Sequence, residues 1–240
     1  MKDVNLRMKK GYNLLCAVNF FTIVPNGSIQ ITTKTNVAMI DSWMVRQIQP
    51  TLNQFALDWV PKWLRANAVT VMGFLVGLLV LPLLLDQAYL LALIVILFNR
   101  FLDGLDGAIA RWDGISDFGG YLDICCDFIF YSAVVFGFAL ADPQQNALAA
   151  SFLIFSYVGT GTSFLAYAIM ASKREMQSDS HGTKAFVYLG GLTEGTETIL
   201  FMFLICLFPG WFPEMATGFG ILCWLTTFGR IATAVQSFKN

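Results

Sequence analysis

Carboxylates are concentrated in one short stretch of the sequence, and their spacing there could support chemistry. Six of the sixteen acidic residues lie from Asp103 to Asp127, and the last of them continue into apolar sequence. Asp103 and Asp106 are three residues apart, and Asp123 and Asp127 are four apart, so each pair lies on one face of its own helix. Two neighbouring helices can therefore direct four carboxylates toward one point.

Four carboxylates at the edge of hydrocarbon need a counter-charge, because they repel one another strongly at low dielectric. Mg²⁺ and Mn²⁺ prefer all-oxygen ligands, whereas the single histidine, His181, disfavours a His-rich zinc or iron centre. The sequence therefore predicts a Mg²⁺ or Mn²⁺ site. Solvated loop charges are the alternative, which the apolar residues around Asp123 and Asp127 disfavour, since membrane carboxylates are costly and usually functional.

Glycines and one arginine accompany the acids. Gly104 and Gly107, followed by Gly119 and Gly120, remove side chains so that a backbone or a ligand can approach closely. Arg111 is placed to meet a phosphate, because a guanidinium pairs bidentately with phosphate oxygens. A membrane anchor that obeys the positive-inside rule is the alternative interpretation of Arg111.

The composition is that of a membrane protein. The chain has 240 residues, of which 56% are hydrophobic and 13% charged, whereas soluble domains carry about 25% charged residues. The net charge of −1 implies no basic surface, so no nucleic-acid partner is expected. We predict an all-α, polytopic membrane protein with a polar turn after Asp103. Its six transmembrane helices are expected at residues 68–85, 88–102, 119–141, 146–171, 186–208 and 215–236.

The charges also predict an orientation. With the N-terminus in the cytoplasm, the loops holding Asp86, Asp142 and Glu214 lie outside and contain no lysine or arginine. The basic residues flanking the spans then lie inside, as the positive-inside rule requires. The acidic segment is therefore expected to face the cytoplasm.

Three segments are predicted along the chain. Residues 39–66 carry apolar side chains at helical spacing, which indicates an amphipathic juxtamembrane helix in the cytoplasmic interface. Residues 67–236 form the six-helix domain. Residues 1–38 are expected to be an N-terminal extension from upstream read-through, with translation starting at Met39; an intact mass that retains Met1 would contradict this.

The acidic segment resembles the signature of a known family. All eight fixed positions match that of the CDP-alcohol phosphatidyltransferases, integral membrane enzymes of phospholipid synthesis: Asp103-x2-Asp106-Gly107-x2-Ala110-Arg111-x7-Gly119-x3-Asp123-x3-Asp127. The resemblance covers about residues 39–236, and GGLTEGTETI is similar to a bacterial inner-membrane subgroup. It therefore implies a multi-pass protein of the bacterial inner (cytoplasmic) membrane, surrounded by membrane lipids, and a homodimer.

The resemblance also implies a reaction. The family displaces CMP from a CDP-linked lipid, here CDP-diacylglycerol, by attack of an alcohol acceptor. The metal ligands would be Asp103, Asp106, Asp123 and Asp127, and Asp127 would also be the general base. The CDP-lipid would be held by Gly107, Arg111, Ser116 and Thr70. The first acceptor to expect is glycerol 3-phosphate or a related polyol phosphate, and the alternatives are serine, inositol phosphate and a lipid alcohol.

Other charges lie within the predicted spans. Glu194, Glu197 and Arg230 are expected to form either an acceptor-binding patch or a structural ion pair or helix–helix hydrogen bond, because intramembrane charges are paired or face a wet cavity. Asn99 and Arg100 either line the site or anchor a lipid phosphate.

Other classes of protein also hold membrane acids. A transporter or channel would not need the DGxxAR segment, and no inverted repeat is visible. Prenyl-transferring enzymes use a DDxxD pattern, which this sequence lacks. A non-catalytic lipid-binding relative is disfavoured by the four intact aspartates.

Overall fold

The fold is helical from Ile40 onward, in a computed structural model that describes residues 20–23, 29–32, 40–174 and 192–238, with side chains from residue 47. Strands β1 (Phe20–Ile23) and β2 (Ile29–Thr32) pair antiparallel. This hairpin lies within residues 1–38, which the sequence sets apart from the membrane domain. The helical fold predicted for the rest of the described chain is confirmed.

Eight helices follow in the described part of the chain, and a 3₁₀ turn, Pro209–Trp211, leads into the last of them. They are α1 (Ile40–Trp59), α2 (Ala66–Gly77), α3 (Val80–Leu85), α4 (Tyr89–Asp113), α5 (Asp117–Ala141), α6 (Pro143–Lys173), α7 (Gly195–Leu207) and α8 (Phe212–Ser237).

Four helical segments of the described chain are long and apolar enough to cross a membrane: Ala66–Leu85, Asp117–Ala141, Pro143–Lys173 and Pro209–Ser237. The α4 helix has 25 residues and is long enough to cross a membrane. Every 18-residue window of it contains the three charged residues Arg100, Asp103 and Asp106, so it is more charged than those four segments. The α7 helix has 13 residues, and the predicted start of its span, at 186, lies outside the described residues. Four of the six predicted spans thus coincide with segments that are long and apolar enough to cross a membrane, and the count of six stays a prediction.

The first predicted span, 68–85, is broken into two helices. Pro82 has no N–H to donate to the carbonyl of Leu78, which accepts from the Leu81 N–H at 3.1 Å instead. Just before the break, a Cβ on Gly77 would lie 2.8 Å from Nδ2 of Asn99 and 2.9 Å from Cδ2 of Phe130. The bare glycine therefore lets α2 lie against both α4 and α5.

The predicted polar turn after Asp103 is wrong, because α4 continues to Asp113. Hydropathy falls at the acids, but Leu105 and Ile109 remain buried against α1 and α2, so packing favours the helix there. The helix ends before Gly114, whose φ of +116° lies in the region that favours glycine.

The main apolar core joins α3 through α8. It contains two stacked ring pairs, Phe138 with Phe212 and Phe201 with Phe219, each with centroids 4.6 Å apart. The residues that α4 contributes to this core lie in its first half, and those that α5 contributes lie in its second half. The acids occupy the opposite halves of these antiparallel helices, so the candidate site lies at one end of the bundle.

Candidate active site

The short turn between α4 and α5 brings the acids of the two helices together. Ser116 caps α5, since its Oγ accepts a hydrogen bond from the N–H of Gly119 at 3.0 Å. One carboxylate oxygen each from Asp103, Asp106 and Asp123 lies within 4.8 Å of the other two. The juxtaposition that the i,i+3 and i,i+4 spacings predict is therefore present for three of the four aspartates.

This group of three carboxylates has the donor chemistry of a hard divalent cation. It offers only oxygen ligands, Asp106 is buried, and the other two carboxylates are partly buried. The hydroxyl of Thr70 hydrogen-bonds to Oδ2 of Asp106 and orients that carboxylate. The residues present therefore fit a Mg²⁺ or Mn²⁺ ion.

The fourth aspartate, Asp127, has different partners. Its Oδ1 lies 2.8 Å from Nη1 of Arg100, and its Oδ2 accepts a hydrogen bond of 3.2 Å from the hydroxyl of Tyr131. Asp127 adjoins the three carboxylates but is not within that group. Its expected role as a metal ligand and base therefore stays a prediction, with both of its oxygens already oriented.

Arg100 belongs to the site, whereas the sequence alone left open whether it lines the site or anchors a lipid phosphate. Its side chain is 10% exposed and lies across the rings of Phe130 and Tyr131, with Cζ 4.9 and 5.1 Å from the two centroids. Its Nε and Nη2 donate to Oδ1 of Asn99 at 2.8 and 2.6 Å. These contacts favour the interpretation that Asn99 and Arg100 line the site over that of a lipid anchor.

A cleft of about 140 Å³ opens beside the carboxylates, between the start of α2 and the α4–α5 turn. Thr70, Gly107 and Ser116, three of the four residues predicted to hold the CDP-lipid, line it together with Asp106 and Asp123. The cleft therefore connects these residues with two of the predicted metal ligands.

Arg111, the fourth residue predicted to hold the CDP-lipid, does not line that cleft. It is exposed, and its Nε donates to Oδ1 of Asn53 on α1 at 2.9 Å. A Cβ on Gly107 would lie 3.5 Å from Nη1 of Arg111, so the arginine passes close to the cleft's glycine. The contact with Asn53 was not foreseen, since no sequence signal links residues this far apart.

The predicted acceptor patch is divided in the structure. Glu197 forms a capping box with Glu194 at the start of α7, and its Oε2 accepts from the N–H of Glu194 at 3.1 Å. Arg230 donates from Nη1 to the carbonyl of Thr160 at 3.0 Å and lies over the ring of Phe164. Glu194 and Arg230 line one cavity, whereas Glu197 is not among its lining residues.

That cavity has a volume of about 140 Å³ and lies among α5, α6, α7 and α8. Its lining includes the hydroxyl-bearing residues Tyr157, Thr160 and Thr193 in addition to the two charged residues. Tyr131 also lines it and donates to Asp127, so one side chain borders both this cavity and the acidic site.

Comparison with known proteins decides the family. A sequence profile described as CDP-alcohol phosphatidyltransferase matches residues 63–232. The chain belongs to the CDP-alcohol phosphatidyltransferase family. Membership confirms the resemblance of the eight-residue signature and makes the protein a transferase of phospholipid synthesis.

Two relatives in sequence cover most of this CDP-alcohol phosphatidyltransferase. The inner membrane protein YnjF of Escherichia coli K12 is 49% identical over 202 residues, which are 84% of this chain and 98% of YnjF. Archaetidylinositol phosphate synthase of Pyrococcus horikoshii is 31% identical over 207 residues, which are 82% of this chain and 99% of that protein. The likeness thus extends over nearly the whole length of both relatives.

Solved structures share the fold. Phosphatidylinositol phosphate synthase of Mycobacterium tuberculosis in complex with manganese and citrate matches with a TM-score of 0.59 at 20% identity, over 76% of this chain and 88% of that one. The same synthase with CDP-DAG bound matches with a TM-score of 0.56 at 20% identity, over 81% and 98%. The helical arrangement of this CDP-alcohol phosphatidyltransferase is therefore one already seen in solved structures.

Proposed function

We propose that this enzyme transfers the phosphatidyl group of CDP-diacylglycerol to an alcohol acceptor and releases CMP. The observation that carries the proposal is the group of three carboxylates beside Asp127, next to a cleft lined by Gly107 and Ser116. The synthase of the same fold with CDP-DAG bound supports the choice of donor.

Asp103, Asp106 and Asp123 would hold the divalent cation, with Asp127 as a further ligand. Mg²⁺ and Mn²⁺ both suit such oxygen ligands, and the manganese in the synthase of the same fold supports the choice of ion. When bound, the cation offsets the charge of the diphosphate and of the departing CMP.

The residues of the chain divide the remaining work. Asp127 accepts the proton of the acceptor hydroxyl while the oxygen of that hydroxyl attacks the phosphorus of the phosphatidyl group. A new oxygen–phosphorus bond forms, and the bond from that phosphorus to the oxygen of CMP breaks. Gly107 leaves space for the diphosphate, Ser116 and Thr70 offer hydroxyls along the cleft, and Arg111 pairs with a donor phosphate.

Arg111→Ala is expected to raise the KM for CDP-diacylglycerol about tenfold or more and to change kcat less, because a charge-assisted hydrogen bond to phosphate is lost. Steady-state kinetics with varied donor would measure this. Asn53→Ala leaves the guanidinium in place and serves as the matched variant for its contact on α1. An unchanged donor KM in Arg111→Ala would exclude phosphate binding by Arg111 and would favour the alternative that it is a membrane anchor.

The acceptor is proposed to be a polyol phosphate, first of all glycerol 3-phosphate. Arg230 offers a guanidinium for the phosphate, while Glu194 and threonine hydroxyls suit the hydroxyl groups of a polyol. Inositol phosphate is the second candidate, because two relatives are named as synthases of inositol phosphate lipids. Tyr131 places this cavity next to the proposed base.

The placement in the membrane is part of the proposal. We expect α4 and α7 to complete six spans, α1 to lie in the cytoplasmic interface and the site to face the cytoplasm of a bacterial inner membrane. The relative named as an inner membrane protein supports this location, and the positive-inside rule supports the orientation. A homodimer is expected from the family resemblance.

The test is CMP release from CDP-diacylglycerol by the purified full-length protein in detergent, with Mg²⁺ or Mn²⁺, against glycerol 3-phosphate, inositol phosphate, serine and a lipid alcohol. Release that needs both metal and one polyol phosphate is the expected result. Arg230→Gln should then raise the acceptor KM about tenfold or more, while Glu197→Gln, which preserves the cap, should not.

Two results would contradict the proposal. Absence of CMP release with every acceptor, from folded protein, would rule out this donor and acceptor set. Release at the same rate without any added alcohol would indicate hydrolysis or a co-purified lipid acceptor, and either would contradict a polyol phosphate as the acceptor.

A further inference from the structure

Arg100 is a cation enclosed by the acidic site itself. Its Nη1 lies 2.8 Å from Oδ1 of Asp127 and 3.6 Å from Oδ2 of Asp103, and it also donates to the hydroxyl of Tyr131 at 2.9 Å. The guanidinium thus contacts one proposed metal ligand and the proposed base at the same time. None of the eight signature positions includes it.

The orientation of Arg100 is over-determined. Two of its nitrogens donate to Oδ1 of Asn99, and Nδ2 of Asn99 donates to the carbonyl of Gly73 at 2.9 Å, which ties the group to α2. The rings of Phe130 and Tyr131 flank it, as cation–π contacts require. The side chain of Arg100 is only 10% exposed and is held between its own helix, α4, and the neighbouring α5, unlike a surface arginine.

We infer that Arg100 is a positioning residue for the transfer reaction: it holds the carboxylate of Asp127 in place as the base and supplies a permanent positive charge to the four-aspartate cluster. The inference rests on the proposed function in assigning Asp127 as the base. Arg100 touches neither CMP nor the acceptor in this role; it acts through Asp127.

The charge balance gives this role a distinctive consequence. Four carboxylates and one guanidinium carry a net charge of three negatives, and a neutral residue at position 100 would restore the fourth. A divalent cation is attracted more strongly to the more negative cluster. Asp127, released from Arg100, also loses the contact that fixes its orientation as the base, so kcat would fall while metal binding improves.

A direct contact between Arg100 and the donor diphosphate is the competing role. It would make the arginine a substrate ligand, and its removal would act on the donor KM. The hydrogen bonds and ion pair of Arg100 with Asn99, Tyr131 and Asp127 already engage all three guanidinium nitrogens that such a contact would need.

The test compares Arg100→Gln and Arg100→Lys with the full-length wild-type protein in detergent. Arg65→Gln is the matched control, because it removes an exposed arginine–aspartate pair of 3.1 Å, with Asp113, outside the cluster. Mn²⁺ binding is measured directly by electron paramagnetic resonance of the free ion, and kcat and donor KM are measured separately. The binding measurement needs no substrate, so it remains informative even if every acceptor fails.

In Arg100→Gln we expect Mn²⁺ to bind about three- to tenfold more tightly, while kcat falls about 10- to 100-fold and the donor KM changes little. Arg100→Lys keeps the charge but not the planar set of donors, so its Mn²⁺ affinity should return to the wild-type value with only partial recovery of kcat. A merely structural role would weaken metal binding and activity together.

Unchanged or weaker Mn²⁺ binding in a folded Arg100→Gln protein would overturn the inference. So would a rise in donor KM with unchanged kcat, since that result would make Arg100 a ligand of the donor. Full activity of Arg100→Lys would reduce the role to charge alone and would contradict the positioning of Asp127.

Discussion

Asp127→Asn is expected to abolish CMP release, with a loss of about 10²- to 10⁴-fold in kcat, because an amide cannot accept the proton of the acceptor hydroxyl. Asparagine has nearly the same shape as aspartate, and its carbonyl oxygen can still accept from Arg100 while its amide group donates to the hydroxyl oxygen of Tyr131. Donor binding should therefore largely survive. Single-turnover CMP release, together with equilibrium binding of CDP-diacylglycerol, separates the two effects.

Asp117→Asn is the matched control for this variant. It changes an exposed aspartate in the first turn of the same helix, and it lies outside the carboxylate group. We expect its activity to remain near that of the wild-type protein. Wild-type turnover by Asp127→Asn would remove Asp127 as the base and would point to a base supplied by another residue or by the acceptor phosphate.

Asp106→Asn is expected to eliminate metal-dependent turnover by weakening the cation site. Asp106 is buried, it lies within 4.8 Å of the other two carboxylates of the group, and Thr70 orients it. Changes in outer-shell residues alone cost about 10- to 100-fold in metal affinity, so the loss of a direct ligand should cost at least about 100-fold. Mn²⁺ titration with and without donor would measure the change.

The control for Asp106→Asn comes from the same helix. Asp113→Asn alters a carboxylate at the end of α4 that pairs with Arg65 and lies outside the group. It should retain Mn²⁺ affinity. Mn²⁺ binding that is the same in Asp106→Asn as in the wild-type protein would exclude Asp106 as a ligand and would leave its buried carboxylate a structural partner of Thr70.

Local spacing predicted the part of the site that follows from which residues share a helix face. Asp103, Asp106 and Asp123 come together because turns of 3.6 residues place i,i+3 and i,i+4 neighbours on one face. The partners of Asp127 and Arg111 could not be predicted in this way. Spacing along one helix does not say which side chain of α4 meets Asp127 on α5, or that Asn53 of α1 meets Arg111, so both contacts depend on packing.

The wrong turn and the unexpected capping box have separate physical causes. The predicted turn after Asp103 follows from hydropathy, which measures transfer of side chains and not hydrogen bonding of the backbone, and α4 continues because its apolar stripe stays buried. Acids three residues apart at a helix start are also the signal for a capping box, which the structure shows for Glu194 and Glu197; the Glu197→Gln variant tests the acceptor role expected of Glu197. That second signal was present in the sequence.

Because α4 is continuous through the acidic segment, it fixes the distance and the relative direction of the side chains along it. Asp103 and Arg111 are eight residues apart on one unbroken helix, which corresponds to about 12 Å along its axis. Insertion of one residue between them would rotate one group by about 100° relative to the other, so the distance and the direction change together. A one-residue insertion between Asp103 and Arg111 is therefore expected to abolish activity even though every signature residue is still present.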